Sequence, residues 1–198
     1  MPTAPTSPRR LGTPASKTRE QLVGAAEKLL LEEGYAAVTS RRVAAKAGLK
    51  PQLVHYYFRT MDDLFLEVYR RRADENLARF ERAMAADGSL RTLWRLNADP
   101  HGASFNIEFV ALAKHRKAVR SEIAAYAERF RAAQLEALTA ALAARGVADD
   151  RLPPVAVLLL MTGVTQVLAL EEALGMTAGH AETIEALERL IDQLDPPA

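Results

Sequence analysis

The chain has 198 residues, 49% hydrophobic and 26% charged, a balance that suits one large domain or a small module joined to a larger one. It contains no cysteine, which excludes disulfides, iron–sulfur clusters and the usual structural zinc sites and fits a reducing cytoplasm. The net charge of +1 conceals an asymmetry, because residues 1–60 hold ten Lys and Arg against four acidic residues and the remainder is acidic on balance; the basic front is the part expected to meet a polyanion.

Residues 1–16 combine Pro, Thr, Ser and Ala with Arg9 and Arg10, a composition expected to stay disordered as a basic arm. They include no apolar stretch of the kind a secretory signal needs. From Lys17 the pattern becomes helical, with Leu22, Ala26, Leu29 and Leu30 at helical spacing. Gly34 supplies the residue just beyond that helix, and Tyr35 stands where a hydrophobic contact usually follows. Thr39 or Ser40 caps a second, short helix, "RRVAAKAG", whose Val43, Ala44 and Ala47 form one apolar face. Gly48 ends it. Pro51 suits the first turn of a third helix, and Thr60 with Asp63 is a start signal for a fourth, carried on by Leu64, Phe65, Val68, Leu77 and Phe80.

Beyond Asp87-Gly88, Ser89 caps "LRTLWRL", and "NADPHG" (97–102) breaks the chain. "FNIEFVALA" follows, and then a long helix runs through "KHRKAVRSEIAAYAERFRAAQLEALTAALAARG" to Gly146. Pro153-Pro154 opens an apolar helix over 155–174, closed by Gly175, and Ile184, Leu187, Ile191 and Leu194 stripe a last one. The apolar run of 155–170 contains Thr162, Gly163, Thr165 and Gln166, so a buried helix rather than a membrane span is expected, with no membrane partner. The fold class is all-α, with roughly nine helices and no sheet.

Two short helices joined by "AGLK" and preceded by a longer one make a helix-turn-helix. Small Ala44, Ala45 and Ala47 let the helices cross closely, Gly48 permits the tight turn, and Val54 plugs the pair from the far side. The second helix can then lie in the major groove of DNA. The segment "TSRRVAAKAGLKPQLVHYYFRTMDDLF" resembles the DNA-binding region of the TetR family of bacterial transcriptional regulators. The shared features are a Thr-rich cap, an apolar-Ala pair, Ala-Gly-Leu, a variable tripeptide, an aromatic cluster ending in Phe, and a capped acidic start to the next helix.

The resemblance implies that Arg41 reaches a base or phosphate and that Lys50, Pro51, Gln52 and Leu53 contact bases. Of these Gln52 is the best direct reader, since Gln pairs bidentately with adenine. By the same likeness His55, Tyr56 and Tyr57 hold phosphates and sugars. Met61 stands where a phosphate-binding Lys is frequent, a gap that Arg59 or the Arg9-Arg10 arm could fill. Phe58 is expected in the core, and Arg70, Arg71 and Arg72 on a solvated helix face.

The resemblance further implies three segments: the arm 1–16, a helix-turn-helix domain over 17–60 and a ligand-binding and dimerisation domain over 61–198. A head this small binds one half-site, so a homodimer on a palindromic double-stranded operator is expected, with half-sites about 34–36 Å apart. The last two helices would form its four-helix bundle, with Gly163 and Ala169 allowing close approach. The middle helices would enclose an effector pocket, with Trp94, Phe105, Phe109, Tyr126 and Met161 as apolar wall and Asn106, His115, Thr162 and Gln166 as polar fixers. The expected function is a cytoplasmic repressor released from its operator by a small apolar or amphipathic effector; the alternative is a DNA-binding regulator or adaptor with no effector. His55, His101, His115 and His180 lie apart without metal-ligand spacing, and no nucleophile motif or Gly-rich phosphate loop appears, so no catalysis, cofactor or metal is expected. The 20 Arg against 6 Lys, with abundant Ala, point to a GC-rich bacterial genome.

Overall fold

Helix α1 (Lys17–Glu33) buries Leu22, Val23, Ala26, Leu29 and Leu30, the stripe its spacing demands. The computed structural model describes residues 16–114, 116–147 and 153–195, and among these every regular element is helical. Gly34 has φ +78°, where a side chain is strained. A Cβ there would also stand 3.3 Å from Glu108 Oε2, the atom that accepts the Tyr35 backbone N–H at 2.8 Å. A 3-10 turn over Tyr35–Ala37 leads to α2 (Ser40–Lys46) and α3 (Pro51–Tyr57). Thr39, not Ser40, is the cap of α2, its Oγ1 accepting from Arg42 N at 3.3 Å. Gly48, at φ +68°, turns the chain so that Leu49 N reaches Ala44 O at 2.8 Å. Val43, Ala44 and Val54, all buried, close α2 onto α3.

Helix α4 (Met61–Ala86) opens with a reciprocal capping box: Asp63 N donates to Thr60 Oγ1 at 3.1 Å and Thr60 N to Asp63 Oδ2 at 3.0 Å. At 26 residues it is about 39 Å long and belongs to both halves of the molecule. Its first turns place Leu64, Phe65, Val68 and Tyr69 in a core shared with α1, α2 and α3. That core continues without a break into Phe105, Phe109, Val119 and Tyr126. Further along, Phe80 enters a second core with Leu90, Leu93, Leu138, Ala141 and Leu158.

Helices α5 (Leu90–Asn97), α6 (Pro100–Ala113) and α7 (Lys117–Ala144) follow. Ser89 caps α5, accepting from Thr92 N at 3.0 Å. The break expected over 97–102 is confined to residues 98–99, because Pro100 takes the first position of α6, where its missing N–H is not required. The long helix starts at Lys117, three residues later than the Lys114 of the expected stretch. Arg70, Arg71 and Arg72 do not form a free solvated face: Arg70 pairs with Glu122 of α7 at 2.8 Å, while Arg71 and Arg72 both pair with Glu27 of α1. The arginines fasten α4 to its neighbours on both sides.

Helices α8 (Pro154–Ala173) and α9 (His180–Leu194) complete the fold. The expectation that 155–170 is buried is corrected within a single chain. Of α8 only Leu158 and Thr165 are buried, and Leu159, Leu160, Val167 and Leu170 are exposed by 47–59%. The helix is apolar on most of its circumference, and the chain has elements to cover one side only. By length and composition α8 could cross a bilayer, but its Thr162, Thr165 and Gln166 face a cavity inside the protein.

Candidate functional site

Helix α3 divides its residues sharply between two environments. Val54 is 1% and Phe58, just after the helix, 3% exposed, while Lys50, Pro51, Gln52, His55, Tyr56 and Arg59 are exposed. Two adjacent helical positions differ by about 100° in direction, and the Tyr pair shows it. Tyr56 projects outward at 43% exposure, whereas Tyr57 is half-buried against the core with its hydroxyl 2.9 Å from Ser16 Oγ. The two rings meet edge to face at 5.0 Å. Leu53 is likewise half-buried and packs on the core. Phe58 is held from above by the Arg19 guanidinium, 5.1 Å from its ring centroid.

The basic residues of this head are not equivalent. Arg42 binds Glu33 at 2.6 Å and Lys46 binds Glu32 at 2.5 Å, and that guanidinium holds the Glu33 carboxyl below its usual range. Arg41, Lys50 and Arg59 are exposed and have no carboxylate partner among the described residues. Exposed cations without partners, set beside Gln52, His55 and Tyr56, make a surface able to neutralise phosphates and to offer hydrogen bonds to base edges. Arg9 and Arg10 lie outside the described residues.

A cavity of about 310 Å³ lies between α4, α6, α7 and α8, with a smaller recess of about 150 Å³ beside it. Its floor is aromatic: Tyr69 lies 4.9 Å from Phe109 and 5.6 Å from Tyr126, which stacks on Phe130 at 5.8 Å. Burial pushes the Tyr69 and Tyr126 hydroxyls above the ordinary phenol range, so both rings stay neutral near pH 7. Asn76 Nδ2 donates to Tyr126 Oη at 3.3 Å. Asn97 Nδ2 reaches Thr162 Oγ1 at 3.4 Å, and Thr165 Oγ1 donates to Thr162 O at 3.0 Å. At the rim Arg79 and Asp99 pair at 2.7 Å.

Of the pocket residues expected from sequence, Asn106, Phe109, Tyr126, Thr162 and Gln166 line the cavity, and Phe105 lines the adjoining recess. Trp94 instead lines an adjoining groove of about 830 Å³ bounded by α5, α8 and α9, which shares Arg79, Leu96, Asp99, Ala103 and Thr165 with the cavity. Met161 packs on the second core. His115 lies outside the described residues. Sequence reasoning missed Tyr69, Asn76, Phe130 and Gln134. The spacing was there to find two of them, since Phe130 and Gln134 follow Tyr126 at successive intervals of four and share its helix face. Among the described residues no three His, Asp or Glu side chains gather into a metal-binding group.

The third exposed feature is the apolar side of α8 and α9. Leu160 is 59% exposed and Leu190 54%; a Cβ added at Gly163 would meet no side chain or neighbouring helix within 4 Å. His180 Nε2 lies 2.9 Å from Glu171 Oε2 and ties the two helices together.

The head sets two short helices across a glycine turn, with an exposed recognition face and a capped helix behind it. Residues 22–68, from the first core leucine of α1 to Val68 of α4, match the family model for bacterial regulatory proteins of the tetR family. This segment is that of the TetR family. The HTH-type transcriptional regulator BetI of Rhizobium meliloti is similar, 29% identical over 131 residues, a match that covers 62% of this chain and 64% of that protein. In solved structures the same fold recurs across most of the molecule. A TetR transcription regulator from Haloarcula marismortui is 18% identical with a TM-score of 0.70, covering 90% of this chain and 97% of that one. A protein from Saccharomonospora viridis in complex with choline is 17% identical with a TM-score of 0.72, covering 82% and 88%. The TetR family match contains all of α2 and α3 with their exposed cations.

Proposed function

We propose that this chain is a homodimeric, sequence-specific DNA-binding repressor of the TetR family that acts in the cytoplasm and leaves its operator when a small molecule fills the central cavity. The observation that carries this is the division of α3, with Val54 and Phe58 locked in the core and Lys50, Gln52, His55, Tyr56 and Arg59 turned outward. Gln52 is the base reader, and Arg41, Lys50 and Arg59 neutralise phosphates. Six such contacts in a dimer give a salt slope of about −5 in log affinity against log salt.

The exposed apolar side of α8 and α9 supports pairing of two chains there, which sets the recognition helices about 34–36 Å apart on a palindromic site. The cavity supports release by a ligand, because α4 lines it through Tyr69, Asn76 and Arg79 and begins at Met61, three residues after the core residue Phe58. A ligand that moves α4 moves the recognition helix. Swinging the population from nearly all bound-competent to nearly all incompetent takes about 5.5 kcal/mol of differential affinity. The aromatic floor fits an effector with an apolar body and a polar end.

The test is a gel-shift series on a site selected from random sequence. Gln52→Ala should lose about 1–3 kcal/mol of discrimination at one base pair, while Tyr56→Phe weakens every site evenly. Unchanged affinity and preference in both variants would refute the groove assignment.

A further inference from the structure

We infer that the central cavity selects an uncharged effector through the carboxamide of Gln134, which stands as a buried hydrogen-bonding post for it; this rests on the cavity being the effector site. Gln134 is 7% exposed, lines the cavity from α7, and has no hydrogen-bond partner among the described residues. A carboxamide offers two N–H donors and an acceptor oxygen, and here they meet the cavity rather than a protein group among the described residues. Across the space stand the Gln166 carboxamide and the Asn97–Thr162 pair, the latter joined by a long bond of 3.4 Å. All of these groups are neutral and all both donate and accept. They are matched by an amide, a hydroxyl or a ketone on a ring or chain that lies along Phe109 and Phe130.

The charges around the cavity disfavour ions of either sign. Its wall holds two guanidiniums, Arg79 and Arg131, and one carboxylate, Asp99, which is already paired with Arg79. The smaller recess adds Arg72 and Glu75; the Glu75 side chain is 62% exposed and faces Arg71 at 3.9 Å. A cation would gain from the ring faces but would meet Arg131 with no unpaired carboxylate to offset it. An anion could approach Arg131, yet it would be desolvated against ring faces that carry negative potential. A quaternary ammonium such as choline also has no N–H, so it cannot engage Gln134 through its charged group.

The experiment uses the full-length protein and three probes that share one phenyl ring: neutral acetanilide, cationic phenyltrimethylammonium and anionic phenylacetate. Titration calorimetry should show acetanilide binding at least tenfold more tightly than either ion. Gln134→Leu, of similar size, should weaken acetanilide about tenfold, with the helical spectrum and operator binding unchanged. Gln134→Glu should turn the preference towards phenyltrimethylammonium. Equal or tighter binding of an ion by the unaltered protein overturns the inference, as does no binding of any probe, or a Gln134→Leu variant that holds acetanilide as well as before. Operator release is measured in parallel. Selective binding of acetanilide without release would remove the effector role from the cavity and leave its selectivity standing.

Discussion

The head and the α8–α9 pair both carry large apolar side chains on helices, yet they meet water in opposite ways. In the head, Val43, Ala44, Val54 and Phe58 are at most 3% exposed, although α2 and α3 have only seven residues each. In α8, 20 residues long, Leu159, Leu160, Val167 and Leu170 stand open at about half their surface. Short helices cannot hold themselves together alone, so the head depends on covering its core side chains within the chain. A long helix with its own hydrogen bonds can leave one side for another molecule to cover. Exposed apolar area of that extent on a protein surface marks a contact site.

The sharpest way to break this contrast is to charge the open side. Leu160→Glu places a carboxylate where the proposed dimer would bury it, and light scattering should report a fall from two chains to one with helicity kept; an unchanged mass would remove α8 from the interface. Next in size, Leu22→Ala empties a fully buried position in the head and should cost about 3 kcal/mol in denaturant unfolding. A loss below 1 kcal/mol would mean that the head core is looser than its burial implies. Thr60→Ala removes one side of the α4 capping box and should cost about 1 kcal/mol, with Thr60→Ser restoring most of it.

The smallest effect concerns pH. The hydrogen bond from Arg70 lowers the Glu122 carboxyl below its ordinary value of 4.5, and that from Arg19 does the same to Glu67. Because both are lowered on folding, their contribution is present above about pH 4.5 and is lost as pH falls through the lowered values. The pairs are partly exposed, so each is worth a few tenths of a kcal/mol. Glu122→Gln should flatten the acid limb of the stability curve by that amount, and an unchanged limb would show the Arg70 pair to be energetically silent.

The head was legible because its signals are local. Gly48, Pro51 and the Thr60–Asp63 pair act through backbone geometry within three or four residues, so their roles can be read in order. Even there, Thr39 and Ser40 were equally good caps until the Arg42 N–H was seen to reach Thr39. Tyr56 and Tyr57 were both expected to hold the DNA backbone, and only the fold turns Tyr56 outward and Tyr57 onto the core. The cavity was less legible. Phe109 and Tyr126 were expected in it, whereas Trp94 and Met161 went elsewhere, since an aromatic or a methionine fits a core, a groove and a pocket alike. Arg70 to Arg72 looked like a solvated run because their partners, Glu27 and Glu122, are more than forty residues away along the chain.

By itself the sequence determined the all-helical class, the helix-turn-helix with its glycine turn and caps, and the TetR likeness of residues 39–65, because helix period, capping and turn chemistry are short-range. Only the tertiary structure decided which charges pair, which aromatic rings share a cavity, that Gln134 stands unpartnered within it, and that α8 keeps an apolar side open. Those outcomes depend on which distant helix arrives opposite each face, and no local pattern encodes that.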